Sequence, residues 1–351
     1  MTIPPAPAPS PTSVLASPTP VTPASGDRGD RLRQLVGSPR LAFVIRRLAR
    51  AVVSLVIVLI ASFFLVHLVP GDPVRAALGP TVSPEAVEAL RRELGLDLPL
   101  GQQFLDYLRG LVTGDLGVSV TSQRPVGATL AERLPTTLLL AVVSFVVAAL
   151  GAFPIGVATA VSSRSGRHRA ADLGVSGLLG VLIAVPNFLL AVLLISVFSV
   201  GLQAFPPAGW GQPSQVVLPV IALAIGPLAY LSRIVHVEML RVLEEPYLTT
   251  ARSKRLPGRI LYVRHALPNI VAATLTAGGV VLVGLVAGTV LIETVFVIPG
   301  IGSTIVSSIT AKDYPLIQGV VLVYAILVLA ANLLIDLALA ALDPRSAIAE
   351  A

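Results

Sequence analysis

Six stretches of this chain run without Asp, Glu, Lys or Arg: residues 51–69, 134–161, 173–200, 216–232, 266–292 and 314–335, of 19, 28, 28, 17, 27 and 22 residues. Crossing the hydrocarbon core of a bilayer takes about 20 apolar residues in a helix, so the pattern predicts an all-α polytopic membrane protein with six transmembrane helices. The 17-residue stretch is the shortest, and a helix running on through Arg233 and Glu238 completes it if those side chains snorkel or project into water. Across the chain, 54% of the 351 residues are hydrophobic and 13% charged, which excludes an ordinary cytosolic enzyme.

The remaining segments set the organisation. Residues 1–40 hold nine prolines among Ser, Thr and Ala with no apolar periodicity, and are expected to form a disordered cytoplasmic tail whose deletion leaves assembly intact. The first helix, placed within 43–70, follows Arg46, Arg47 and Arg50, is too long for a signal peptide and ends in Pro70-Gly71-Asp72-Pro73 without a cleavage site, so it is read as an uncleaved anchor. With the N-terminus inside, 18 of the 25 Lys and Arg residues fall on cytoplasmic segments, three of them in the short loop of Arg164, Arg167 and Arg169. That asymmetry fits the positive-inside rule and puts both termini, including residues 343–351, in the cytoplasm.

Between the first two helices lies an external segment, 71–133, too long for a plain connection. Ser83-Pro84-Glu85 has the grammar of a helix start, with Ser as N-cap and Pro at the first helical position, and Gly95 is placed to stop that helix. A second helix is expected over residues 100–109, with Leu105, Leu108 and Leu111 on one face and Gly110 as breaker. A small structured cap and an inert connector are the two readings of this segment.

Chemistry of the enzymatic kind finds little to work with. The chain has no cysteine, which removes thiolate metal sites and cysteine nucleophiles. Its lysines, Lys254 and Lys312, follow Ser253 and Ala311, so no phosphate-binding Gly-Lys-Ser/Thr loop exists. His67, His168, His236 and His265 show no paired spacing, and His67 reads as an interfacial structural residue. No catalytic residue, metal ligand or cofactor site is assigned. Only Asp336 is read as lying deep in an apolar context, with Asn332 one turn earlier as a local polar contact; a structural role and an ion pathway are both compatible with it. Gly284 and Gly288 form a Gly-x-x-x-Gly pair expected to serve helix packing.

The segment between the fourth and fifth stretches carries the most information. Pro246 pre-sets a helix start and Pro257-Gly258 ends it, giving a short cytoplasmic helix over 245–257 of about three turns. Tyr247, Leu248 and Ala251 with Arg252, Lys254 and Arg255 would form an aromatic and basic face suited to a partner's groove. A membrane-surface helix held by anionic headgroups is the other reading.

Here the sequence resembles the permease subunits of binding-protein-dependent ABC importers, in the dipeptide/oligopeptide/nickel branch. The string Pro246, Tyr247, Thr250, Ala251, Arg252, Lys254, His265, Ala266, Leu267 and Asn269 matches that family, with Ser253 where alanine is usual and Arg255 where glycine is usual. Further pieces match in order: Pro70-Gly71-Asp72-Pro73, Leu94-Gly95-Leu96-Asp97, Gly114-Asp115-Leu116-Gly117, Arg133-Leu134-Pro135-Thr136-Thr137, Glu293-Thr294-Val295-Phe296, Pro299-Gly300-Ile301-Gly302, Asp313-Tyr314-Pro315 and Asp343-Pro344-Arg345. The resemblance covers about residues 43–345.

The resemblance implies a type I ABC importer permease fold with its transmembrane core over 134–342 and a coupling helix that docks on an ATPase subunit. Glu245, Pro246, Tyr247, Thr250, Ala251, Arg252 and Lys254 are the docking residues it implies. The implied partners are a second homologous permease, two ATPase subunits that bind ATP and magnesium, an extracytoplasmic substrate-binding protein and the lipid bilayer of a bacterial inner membrane. Nucleic acid is not among them, since sorting the +6 net charge by side explains it as an orientation signal. Peptide is the expected substrate, with nickel or another small solute as the alternative and an ion-coupled secondary transporter as the rival class.

Overall fold

The computed structural model describes residues 39–68, 73–78, 82–165 and 169–342. The proline-rich stretch through residue 38, Pro70, Gly71, Asp72, Arg167, His168 and residues 343–351 lie outside them, as does the His67 side chain. In chain order the elements are α1 (Pro39–Leu68), α2 (Pro73–Leu78), α3 (Pro84–Glu93), α4 (Leu100–Thr113), α5 (Val126–Ser165), α6 (Arg169–Ala184), α7 (Asn187–Leu194), α8 (Pro213–Leu243), α9 (Pro246–Ser253), α10 (Leu267–Val295), α11 (Ile301–Ala311) and α12 (Tyr314–Leu342). No strand occurs among the described residues.

Five helices, α1, α5, α8, α10 and α12, are individually long and apolar enough to cross a membrane. The third charge-free stretch is not a straight span: it is a bent pair, Leu173–Ala184 and Asn187–Gly201, with a 102° break between the halves. Pro186 is the cause, because it lacks the N–H that would continue the helix and its ring crowds the preceding turn. Counted as one span, the pair brings the total to six. The short fourth stretch becomes the 31-residue α8, which runs on through Arg233 and Glu238 as its sequence suggested.

Helices α5 and α8 form the most extensive pair. At Gly156 a Cβ would lie 2.6 Å from the Ser232 carbonyl oxygen, so only glycine lets the two backbones meet there. His236 of α8 sits 3.0 Å from the Thr159 hydroxyl of α5 in the same seam. The expected packing role of the Gly284 and Gly288 pair holds only for Gly288, which lies against Leu223; Gly284 faces open space.

Outside the bundle, Ser83 caps α3, its hydroxyl accepting the Ala86 N–H at 3.3 Å, and Gly95 adopts a left-handed φ of +66° after the helix. The second cap helix differs from its expected form. It continues through Gly110 to Thr113 and ends at Gly114, whose φ is 79°. Gly110 is needed for another reason: the chain doubles back so closely that a Cβ there would meet the Asp115 carbonyl oxygen at 2.6 Å. Its packed face also differs, since Leu105 is 63% exposed whereas Phe104 packs edge-on and Tyr107 at a tilt against Phe63 of α1, with ring centroids 5.1 and 5.8 Å apart. Phe63, Leu96, Gln103, Tyr107, Tyr314 and Gln318 border a cavity of about 270 Å³ beneath this cap.

Three carboxylates tie distant parts of the chain together. Asp336 meets Arg47 at 2.8 Å, pairing α12 with α1 rather than with Asn332. Glu293 is fully buried at the end of α10, so Asp336 is not alone in apolar surroundings. The Thr137 hydroxyl of α5 donates to Glu293 at 2.7 Å and the Ser303 N–H of α11 at 2.9 Å, while Thr137 accepts the Ile301 N–H at 2.8 Å. Asp313, between α11 and α12, accepts the Ser119 hydroxyl at 2.5 Å and the Val120 and Thr121 N–H groups at 3.2 Å, fastening the cap to the bundle.

Candidate docking helix

Helix α8 ends at Leu243, and Glu245 with Pro246 starts a new helix at once: Glu245 is extended (φ −63°, ψ 141°) as N-cap, and Pro246 supplies a helical φ at the first position. The resulting α9 has eight residues, two turns rather than the three expected. It stops at Lys254 because Arg255 takes a left-handed φ of 55°, which no L side chain adopts without cost. That conformation explains why glycine suits position 255 better than arginine.

The face anticipated from sequence is divided between two sides. Leu248 is fully buried and Ala251 is 9% exposed, and both pack into the chain's own core with Ala160 of α5, Met239 of α8 and Ile270 of α10. Their spacing of three puts both on one helical stripe, and the bundle takes that stripe. Arg252 is also turned inward, its guanidinium donating to the Leu243 carbonyl at 3.0 Å. Arg164, from the end of α5, donates to the same oxygen at 2.7 Å. Two cations thus satisfy a last-turn carbonyl of α8, where the helix dipole favours positive charge.

What remains outward is Glu245, Tyr247, Thr250 and Lys254, together with Thr249 and Ser253. Thr250 and Ser253 return their hydroxyl protons to the Pro246 and Thr249 carbonyls. Tyr247 is 42% exposed, and burial, followed by the Glu245 carboxylate, pushes its phenol up from the usual range. It is held from the side: the Asn269 amide donates to the Tyr247 oxygen at 2.9 Å and to the His265 carbonyl at 2.7 Å. Between α9 and Asn269 the chain makes a turn at Gly258–Ile260 and then a π-helical turn over Leu261–Ala266, a widened geometry frequent at functional sites.

The arrangement is a short polar helix whose inner side is keyed by Leu248, Ala251 and Arg252 to the ends of three spanning helices, leaving Tyr247 and a row of hydroxyls and charges outside. A force applied to α9 therefore reaches α5, α8 and α10 together. Sequence reasoning gave no role to Arg164 or Asn269 here, nor to Glu293 at the other end of α10. An acidic residue abutting an apolar stretch and followed by Pro299-Gly300 was the available signal for Glu293.

Comparison with known proteins gives this geometry a context. Residues 152–348 match the family described as the binding-protein-dependent transport system inner membrane component, and residues 40–141 match its N-terminal membrane component family. A putative peptide transport system permease protein of Brucella suis is 37% identical over 312 residues, 87% of this chain and 98% of the relative. The dipeptide transport system permease protein DppB of Lactococcus lactis is 34% identical over 305 residues, 86% and 98% of the two chains. The glutathione transport system permease protein GsiC of Escherichia coli K12 is 35% identical over 305 residues, 87% and 98%. With a family model over more than half of its length, and relatives matched from end to end, the chain belongs to the inner-membrane permease family of binding-protein-dependent ABC importers and is a multi-pass membrane protein.

Proposed function

We propose that this chain is a translocation-pore subunit of an ATP-driven importer of dipeptides and oligopeptides, working by alternating access. The observation that carries the reading is α9: an outward row of Glu245, Tyr247, Thr250 and Lys254 on a helix locked inward to three spans is suited to receive motion from outside the membrane. Peptide as substrate is supported by relatives named for peptide, dipeptide and glutathione transport. In this reading two ATPase subunits bind ATP and magnesium, seat α9 and its counterpart on a second permease, and close on each other. A binding protein delivers peptide to the opposite face, where the α3 and α4 cap lies. In this reading both termini and α9 lie in the cytoplasm, which the distribution of Lys and Arg supports. This chain contributes different contacts to inward-open and outward-open states, which is the whole thermodynamic requirement for coupling.

Mild detergent extraction of the tagged chain is expected to bring down ATPase subunits and a second permease, and liposomes holding that complex with its binding protein should accumulate trialanine only when ATP is present. Uptake driven by an ion gradient with no ATPase in the preparation would overturn the proposal.

A further inference from the structure

Asn187 stands out because a carboxamide at membrane depth has nothing of its own to bond. It opens α7, immediately after the 102° break, within the charge-free stretch 173–200. Leu190, Ala191 and Leu194 are the buried residues of α7, and they follow Asn187 by three, four and seven positions. The amide therefore points with them toward the core of the bundle and not to the lipid side, where Phe188, Leu189, Val192 and Leu193 lie exposed. Its Oδ1 sits 3.3 Å from the place a Cβ would occupy on Gly226 of α8, and its Nδ2 3.7 Å from the corresponding place on Gly288 of α10. Glycine at these two positions lets the facing helices come close to the amide.

Among the described residues the Asn187 side chain makes no hydrogen bond, yet it is only half-buried. An amide so placed costs free energy unless water or a ligand completes it. Prolines take main-chain donors away from the same junction. Pro186 cannot donate to the Leu182 carbonyl, and Pro227, next to Gly226, cannot donate to the Leu223 carbonyl. Broken backbone at membrane depth is tolerated where it is covered by protein or lines a watered cavity. Here it surrounds a mixed set of donors and acceptors without a charge.

We propose that Asn187, at the junction of the broken span with α8 and α10, is a contact in the translocation path for the peptide main chain, which presents the same alternation of N–H and C=O groups. The inference rests on the peptide-importer reading and adds the contact point and the part of the substrate it reads. Because the recognised groups are common to all peptides, the contact is indifferent to side chains, and charge is no part of it.

The absence of cysteine makes the test direct, since N187C is then a unique thiol on this chain. In the assembled complex, reaction with a water-soluble trimethylammonium methanethiosulfonate is expected to be at least about tenfold faster for N187C than for L189C, because a thiol facing lipid does not ionise. Saturating trialanine should slow N187C and leave L189C unchanged. Replacing Asn187 by Leu should lower ATP-driven uptake of trialanine and glutathione alike by about tenfold, the worth of one or two net hydrogen bonds, with ATPase recovery unaltered. Reaction of N187C no faster than L189C, or native uptake by the Asn187→Leu complex, would overturn the proposal. The labelling contrast decides the matter should the leucine variant fail to assemble. If no ATPase is recovered with the native chain the transport reading fails, whereas the labelling contrast is still measured on the membrane-inserted chain, so the two fail separately.

Discussion

At Ala251 a single methyl group separates two ideas of what α9 does. It lies inside the chain's own core, so Ala251→Asp places an unpaired carboxylate there and is expected to destabilise by several kcal/mol, on the order of 3–5, seen as loss of membrane-inserted protein. Tyr247→Asp alters an exposed side chain and removes its bond from Asn269, so it should leave the chain inserted with only a small loss of thermal stability, while on the proposed docking ATP-driven uptake falls by about tenfold or more. Arg255 offers a gain instead. Its φ of 55° costs roughly 1–2 kcal/mol relative to glycine, so Arg255→Gly should raise the thermal midpoint of the purified protein by a few degrees. Much of this was out of reach of sequence alone. Leu248 and Ala251 could be placed on one helical stripe from their spacing, but a two-turn helix beside a bundle presents an apolar stripe equally well to its own core or to a partner. Glu293 was hidden by the rule that found the spans, because a search for charge-free residues stops at Ile292, one position short of a carboxylate that three segments then enclose.

Among the elements, the cap is the one whose start was readable and whose packing was not. Ser83-Pro84 announces α3 by chemistry confined to four residues, whereas the inward face of α4 depends on Phe63, far away in sequence, and its end at Gly114 depends on the return of Asp115 beneath Gly110. Tyr107 shows the consequence. Its hydroxyl is buried without a hydrogen-bond partner, and burial pushes the phenol up to about 12. A phenol raised in the folded state holds its proton while the unfolded chain loses it, so its contribution to stability is complete below pH 10 and disappears between 10 and about 12. Chemical denaturation at pH 8 and pH 11 should therefore show Tyr107→Phe to be neutral or slightly stabilising at the lower pH and clearly more stable than the native chain at the higher. The broken third span has a similar lesson. Pro186 was visible in the middle of an apolar run, but proline also lies inside α5 at Pro135 and Pro154 and inside α8 at Pro219 and Pro227, where the helices continue. A proline announces a missing bond; its neighbours decide whether the chain bends.

For the molecule as a whole, membrane physics made the sequence legible: the five unbroken spans and the bent pair all fall on the six charge-free stretches. The orientation derived from Lys and Arg can be checked with single thiols in intact cells. A membrane-impermeant maleimide should reach Q102C in the cap from outside and S163C at the end of α5 only after permeabilisation; the opposite pattern would invert the topology. One bond bears on how this molecule comes to exist. Arg47 and Asp336 stand 289 residues apart, near the first and last turns of the described bundle. At a synthesis rate of 5–20 residues per second, Asp336 is made roughly 15–60 s after Arg47. During that wait Arg47 must keep its charge at the membrane edge, where its long side chain can reach water. The contact between α1 and α12 that this ion pair makes therefore forms only after nearly the whole described chain has been synthesised.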